Sequence, residues 1–479
     1  MRDDRTLHII TPMAALLGAA LLSGCAGFSP DGGMDVVGDV AQRELGKDVV
    51  AIRSPQEAEI VHAAVRRLLG RTLSADAAVQ VALINNRGLQ AAYNELALAE
   101  ADMVESSLPP NPRISYSRIA GSAELEIERR VVGDILALAT LPARSDIARV
   151  RFQQAQLRAA LETLNLAADT RRTYYRAVAA QELVSFLAQA QSAAEAATQL
   201  AARLGETGAM NKLDQAREQV FYADITAQVA AARQTAASER EALIRRLGVW
   251  DGDLKFTLPA ALPGLPRRPQ VVAGIEVEAV RRRVDLQIAR MELDALARSY
   301  GLTQATRFIN ILDAGYAGKF IKDKGTGQRI RDNGFEVELQ IPIFDFGEVR
   351  VRQAEETYML AVNRLVEKAV VVRSEARDAY RVYRSAYDIA GHYQREVLPL
   401  RKIISDETLL RYNAMQIDVF ALLAEARQRI AATVAAIDAR RSFWLATADL
   451  KAAIAGGGAG GRNEGTRPMA ESSGETGKH

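Results

Sequence analysis

One thiol and a small set of regularly spaced carboxylates hold most of the chemistry that this 479-residue chain can offer. Cys25 is the only cysteine, which excludes a disulfide within the chain and leaves a single sulfur nucleophile. Glu124, Glu126 and Glu128 occur at every second position, as do Glu336 and Glu338. That is the period of a β-strand, so each set projects from one face and makes it acidic. Asp214 and Asp418 follow breaks in long helical tracts, where a carboxylate suits the start of a returning helix. Arg203 and Arg411 close the tracts before those breaks, where a cation suits the helix dipole. Other chemistries are poorly supplied. Four histidines and one cysteine argue against a multi-ligand zinc or haem site, and His62 and His392 stand alone on helical stretches. There is no Gly-rich phosphate loop and no Ser/His/Asp set, so neither an enzyme nor a cofactor is expected. Lys+Arg 61 against Asp+Glu 59 argues against nucleic acid as a partner.

The elements around these residues begin with an N-terminal signal over residues 1–24. Arg2 and Arg5 precede an apolar run from Ile9 to Leu22, which is too short for a comfortable membrane span. It ends in Leu22-Ser23-Gly24-Cys25, the layout of a bacterial lipobox. In that motif the thiol takes a diacylglyceryl group and cleavage makes the cysteine the first mature residue. A covalent lipid on Cys25, with residues 25–55 as a lipidated extended segment, is therefore the expectation. Acyl chains contribute about 0.8 kcal/mol per buried CH₂, so several would anchor the chain firmly. Ala26 after the cysteine points to the outer membrane. No later stretch is apolar for long enough to form a transmembrane helix, so any further insertion must use strands.

Length alone suggests two or three domains, but proline spacing says otherwise. None of the 14 prolines lies between Pro142 and Pro259, and only Pro399 lies between Pro342 and Pro468. The two Pro-poor tracts belong to a tandem duplication. Leu141-Pro142 matches Ile341-Pro342, Arg172, Tyr175 and Arg176 match Arg377, Tyr380 and Arg381, and Ala216-Arg217 matches Ala426-Arg427. The copies span 56–257 and 273–455, joined by a Pro-rich linker over 258–272, with a disordered tail over 456–479. Each copy predicts a short helix, a β-hairpin, a very long helix, a tight turn and a second long helix. Ser74 is the expected N-cap of the first short helix. Ile147, Val150, Leu157, Leu161, Leu164 and Ala168 form a coiled-coil stripe broken at Gln154. Ala354, Tyr358, Ala361, Leu365, Ala369, Val372 and Ala376 form its counterpart. The first long helix, from Ala143 to about Arg203, would be roughly 90 Å long. The second, from Arg350 to about Leu410, is expected to bend at Pro399.

In order along the chain, these features resemble the TolC-type outer-membrane efflux proteins over roughly residues 55–455. The resemblance rests on the lipobox, on Leu73-Ser74 with Ala78-Val79 and Ala82-Leu83, and on Leu108-Pro109-Pro110-Asn111-Pro112. It rests further on Ile341-Pro342-Ile343-Phe344-Asp345-Phe346-Gly347 and on Arg411-Tyr412 with Asp418-Val419 and Ala426-Arg427. It implies a mainly α fold with a small β part. Three chains would combine four strands each into a 12-stranded β-barrel above an α-helical barrel. It also implies the exit duct of a tripartite efflux pump, working with a periplasmic adaptor (membrane fusion protein) and an inner-membrane transporter. Phe335, Val337, Leu339 and Ile341 would then meet outer-membrane lipid. Glu124, Glu126, Glu128, Glu336 and Glu338 would line the lumen and favour cations. Arg203, Asp214, Arg411, Tyr412 and Asp418 would lie at the gated periplasmic tip, where either aspartate becomes a ring of three carboxylates.

The chain departs from the family pattern in three places. The first helical turn reads about two residues shorter than the second. Met415 stands where many members carry Gly, and the first hairpin ends at Leu138–Arg144 without the Asp-Phe-Gly of the second copy. A lipid-anchored adaptor or coiled-coil scaffold is the alternative reading. Two helical hairpins with two acidic-faced β-hairpins favour the duct. The transported compound is not encoded in any residue cluster.

Overall fold

The computed structural model describes residues 27–456. The signal segment, Cys25 and the tail from 457 onwards lie outside the described residues. Ahead of the first copy, helix α1 (Met34–Leu45) occupies much of the segment expected to be extended. It is delimited by two glycines with left-handed backbone, Gly33 and Gly46. An added Cβ on Gly33 would lie 2.6 Å from the Phe152 ring, so a side chain there would force that ring to move. Helix α2 (Pro55–Leu69) opens with a full capping box, Ser54 and Glu57 bonding to each other's backbone N–H.

Where one short helix was expected ahead of each β-hairpin, the first copy has two more after α2 and the second copy has two. The first copy has α3 (Ala75–Asn85) and α4 (Arg87–Ser107), and Ser74 caps α3 by accepting from the Ala77 N–H. The break has a tertiary cause. Asn86 is extended, while Asn85 donates to the carbonyls of Leu247 and Gly248, and Asn86 to that of Arg246. The asparagines thus satisfy carbonyls at the end of a later helix, a demand invisible in local sequence. Strands β1 (Arg113–Ala120) and β2 (Glu124–Asp134) follow, then helices α5 (Ile135–Glu206) and α6 (Lys212–Leu247). The second copy repeats the order: α7 (Ile275–Arg282), α8 (Val284–Ala305), β3 (Ile311–Asp323), β4 (Arg329–Gln340), α9 (Glu348–His392), α10 (Leu398–Asn413) and α11 (Val419–Ala455).

The strand-to-helix junctions differ between copies. In the first copy α5 starts at Ile135, earlier than Ala143, and carries Pro142 inside it. Asp134 makes this possible, since its carboxylate accepts from the Ala137 N–H at 2.7 Å and caps the helix directly from the strand end. In the second copy a turn intervenes. Phe346 and Gly347 are left-handed, and Asp345 accepts from the Gly347 N–H. Arg350 reaches back to the Thr306 carbonyl and Arg307 to that of Phe346. A Cβ on Gly347 would lie 2.0 Å from the Arg307 carbonyl oxygen, so the backbone needs glycine there.

The break expected at Pro399 is present as a turn of π-helix, Tyr393–Val397, between α9 and α10. Proline has no N–H to continue the regular ladder, and the wider turn accommodates the gap. The expected stripes are the inward faces. Ile147, Leu157, Leu164 and Ala168 are buried, as are Ala361, Val372 and Ala376. Gln154, at the break in the first stripe, is buried too.

Two compact units result, and they do not follow the two copies. One unit takes residues up to 51, 88–161 and 284–370; the other takes 52–87, 162–283 and 371 onwards. The first holds the sheet and the N-terminal segment, where Ser29 donates from its N–H and its hydroxyl to the buried Glu100 carboxylate. In the second unit Tyr383, Tyr387 and Ala376 pack around Phe443 and Leu450. The Pro-rich linker is stitched onto this core. Tyr387 donates to the Pro266 and Arg267 carbonyls, Trp444 to that of Pro263, and Tyr383 accepts from the Gln270 N–H. In the first copy Tyr174 is buried and donates to the Leu73 carbonyl. Burial pushes its phenol up to about 12.

Two outcomes follow from these contacts. Gly347→Ala should destabilise the fold by roughly 3 kcal/mol or more, read as a drop in thermal midpoint by circular dichroism. The folded chain holds the Tyr174 proton more tightly than the unfolded chain does. That contribution is complete below about pH 10 and is lost as pH rises towards about 12, a change of about 2 to 3 kcal/mol. Comparing wild type with Tyr174→Phe at about pH 9 and about pH 12 should isolate it.

Candidate functional site

The four strands form one antiparallel sheet in the order β1-β2-β3-β4. Pairing of β2 with β3 joins the two copies and leaves β1 and β4 as open edges. The register fixes which residues share a face, because directly opposite residues in an antiparallel pair point the same way.

Glu124, Glu126 and Glu128 on β2 fall on one face with Asp323, Ile321 and Lys319 of β3. Glu336 and Glu338 join them through Gly315 and Asp313. Register therefore assembles all five expected carboxylates on a single face, with Asp134, Asp313, Asp323 and Asp332 added. Three cations share that face and are ion-paired: Lys319 with Glu126, Arg130 with Glu128 and Glu336, and Arg113 with the buried Asp313. At the helix-proximal end, Arg113, Asp134, Thr140, Arg144, Asp313 and Glu338 surround a polar cavity of about 410 Å³. The face is therefore net acidic, and Ile119, Ile321 and Ile330 share its loop-proximal end.

The opposite face carries Ile114, Ile127, Val131, Leu312, Tyr316, Phe335, Val337 and Leu339. It is uncovered. Phe335 is 92% exposed, and Phe344 just beyond the strand is 98% exposed. Tyr316 and Phe335 stand directly opposite and meet edge to face, their ring centres 6.0 Å apart.

The turns between long helices lie in the other unit. The connections are 207–211 and 414–418, five residues each, so the first is not the shorter one. Gly208 and Met415 both adopt left-handed backbone in them. Met415 does so at φ 60° and 94% exposed, in the place of the expected glycine. Arg203 is exposed in the last turn of α5; Arg411 pairs with Glu407 at 3.0 Å, and Tyr412 is half-buried. Asp418 caps α11 by accepting from the Ala421 N–H. Asp214 does not cap α6. That role falls to Asn211, and Asp214 is buried, bonded by Asn211 and by Arg217 at 2.9 Å.

Sequence reasoning missed the ion pair that joins the two copies near these turns. Arg427 of α11 bonds Glu218 of α6 at 2.9 Å and lies 4.4 Å over the Phe221 ring. Glu218 is only 3% exposed. The matched Ala216-Arg217 and Ala426-Arg427 marked these helices as equivalent, but pairing across copies is not a periodicity. No helix among the described residues is long and apolar enough to cross a membrane.

No protein-family model and no curated protein matches this sequence. Solved structures do. The chain is similar to the CmeC outer membrane channel of Campylobacter jejuni, with TM-score 0.68 and 16% identity over 86% of this chain and 89% of that one. It is similar to the open-state MtrE outer membrane channel of Neisseria gonorrhoeae, with TM-score 0.65 and 16% identity over 82% and 89% of the two chains. For CusC, a protein that forms a transmembrane channel, the values are 0.66, 16%, 80% and 92%. The chain has the TolC-type outer-membrane channel fold. In this channel fold the open-edged sheet is the β part and the paired long helices are the α part.

The Arg427–Glu218 pair gives a direct test of what holds the helical hairpins together. Arg427→Ala strands a buried carboxylate and should cost about 2 to 4 kcal/mol. Combining Arg427→Met with Glu218→Leu should restore most of the loss, read by thermal unfolding of all three proteins.

Proposed function

We propose that this chain is the outer-membrane exit duct of a tripartite efflux pump, working as a homotrimer. The observation that carries the reading is the sheet: an uncovered apolar face backed by an acidic one, with both edges unpaired. Backbone groups at open edges have no partners in lipid, and four strands cannot close a useful barrel. Pairing β4 of one chain with β1 of the next satisfies the edges, and three chains supply the strands of a 12-stranded barrel. The exposed Val366 and Val370 of α9 fit the same assembly, offering a second apolar stripe to a neighbouring helix. The carboxylate face then lines the lumen and favours cations. Arg203, Asp214, Arg411, Tyr412 and Asp418 belong to the periplasmic opening, where an adaptor and an inner-membrane transporter connect.

Cys25 carries the lipid in this reading. It stands four positions before Ser29 in the sequence, and Ser29 is bonded to Glu100. Ser29 belongs to the same unit as the sheet, and both attachments therefore act on one part of the chain.

Purified protein should migrate as a trimer on unboiled SDS gels and conduct in planar bilayers. A monomeric, non-conducting, carbonate-extractable protein would refute the duct and favour the adaptor-like scaffold. Palmitate labelling should be lost in Cys25→Ala, while conductance of the purified variant is retained.

A further inference from the structure

The apolar face of the sheet is not apolar throughout. Arg118 of β1, Arg129 of β2, Lys322 of β3, and Arg329 and Arg331 of β4 all lie on it by register. No carboxylate shares that face. The contrast with the acidic face is sharp, since its cations are all ion-paired and these five are in no ion pair among the described residues.

The five are also confined in height. All lie on the half of the sheet nearest the hairpin loops 121–123 and 324–328, while Ile114, Val131, Tyr316, Phe335, Val337 and Leu339 occupy the half nearest the helices. Lys322 and Arg329 are directly opposite each other. Like charges in that position destabilise a sheet unless an anion sits between them. Arg331 lies 5.7 Å over the Phe320 ring, which orients its guanidinium. The loops are short, and Lys324 ties them together by donating to the Gly121 carbonyl at 2.6 Å. Neither loop is long enough to fold down over the cations.

From this arrangement we infer that the loop-proximal half of the lipid-facing sheet is a basic belt that binds the phosphate groups of lipid headgroups in the outer leaflet. Guanidinium groups take phosphate oxygens in pairs, and the apolar half below accepts the acyl chains of the same lipid. The inference rests on the duct reading, which places this face in the membrane. Lipid fits better than a second copy of the chain, because edge-to-edge pairing of strands leaves the face itself uncovered.

The test uses detergent-solubilised trimer and lipid A as the probe, either with its phosphates or after phosphatase treatment, with bound lipid counted by native mass spectrometry. Wild type should prefer the phosphorylated form at least about tenfold, since each basic residue at a membrane surface contributes roughly 1 kcal/mol. The fivefold variant Arg118→Gln, Arg129→Gln, Lys322→Gln, Arg329→Gln, Arg331→Gln should lose that preference. Lys322→Gln with Arg329→Gln is the milder variant if the fivefold one does not fold. It should weaken the preference several-fold and, in zwitterionic detergent without phosphate, be at least as heat-stable as wild type. Lys319→Gln on the acidic face should retain the preference. Absence of any preference in wild type, full retention in a folded belt variant, or equal loss in Lys319→Gln would overturn the belt. Conductance reads the duct separately. Conducting protein without phosphate preference overturns the belt alone, whereas phosphate preference without conductance overturns the duct and, with it, the placement of the belt in the outer leaflet.

Discussion

The unpaired edges of β1 and β4 are the constraint on which the rest of this architecture depends. A sheet with one uncovered apolar face and free backbone groups along both sides is not a finished structure in water or in lipid. The central β2–β3 pairing shows how the duplicated chain begins to solve this. Each copy supplies one hairpin, and the hairpins pair with each other, giving four strands per chain instead of two separate ribbons. In the proposed duct, closure comes from neighbouring chains. The same incompleteness marks the helices, where α9 buries Val372 and Ala376 yet leaves Val366 and Val370 exposed.

Duplication of sequence has not meant duplication of structural solutions. At the first strand-to-helix junction a single carboxylate, Asp134, caps the helix where the strand ends. At the second, Asp345, Phe346 and Gly347 build a left-handed turn pressed against the Arg307 carbonyl. Pro142 sits inside a helix, and its counterpart Pro342 sits in the turn. The first long helix of copy one runs unbroken, whereas that of copy two is divided by the π-helical turn before Pro399. The spatial units divide both expected copies and recombine them, so the repeat read in the sequence is not a boundary in space.

Polar groups determine how firmly each unit is held. The linker between copies, Pro-rich and without regular structure over most of its length, is fixed by donors from Tyr387 and Trp444. Near the helical turns, Arg427 answers the buried Glu218 across the copies. Such pairs contribute less net stability than their Coulomb attraction suggests, but they penalise any arrangement that separates them. Near the sheet, Ser29 and Glu100 hold the N-terminal segment a few residues from the cysteine expected to carry lipid.

Periodicity was enough to identify the hairpins, the long helices, the duplication and the alternation of Glu124 to Glu128 and of Phe335 to Leu339, because those patterns repeat within one element. Capping chemistry at Ser74 and Asp418 was equally local and equally legible. In the first copy the boundary between α3 and α4 was not, since Asn85 and Asn86 there bond carbonyls more than a hundred residues away. Nor was the capping of α6, where Asn211 takes the role that suited Asp214. The assembly of all the acidic residues on one face, and of five cations on the other, depends on register between strands from different copies. A single strand reports its own two faces by the alternation of its residues. Which residues of four strands become neighbours is decided by hydrogen bonding between them, and only the tertiary structure contains that.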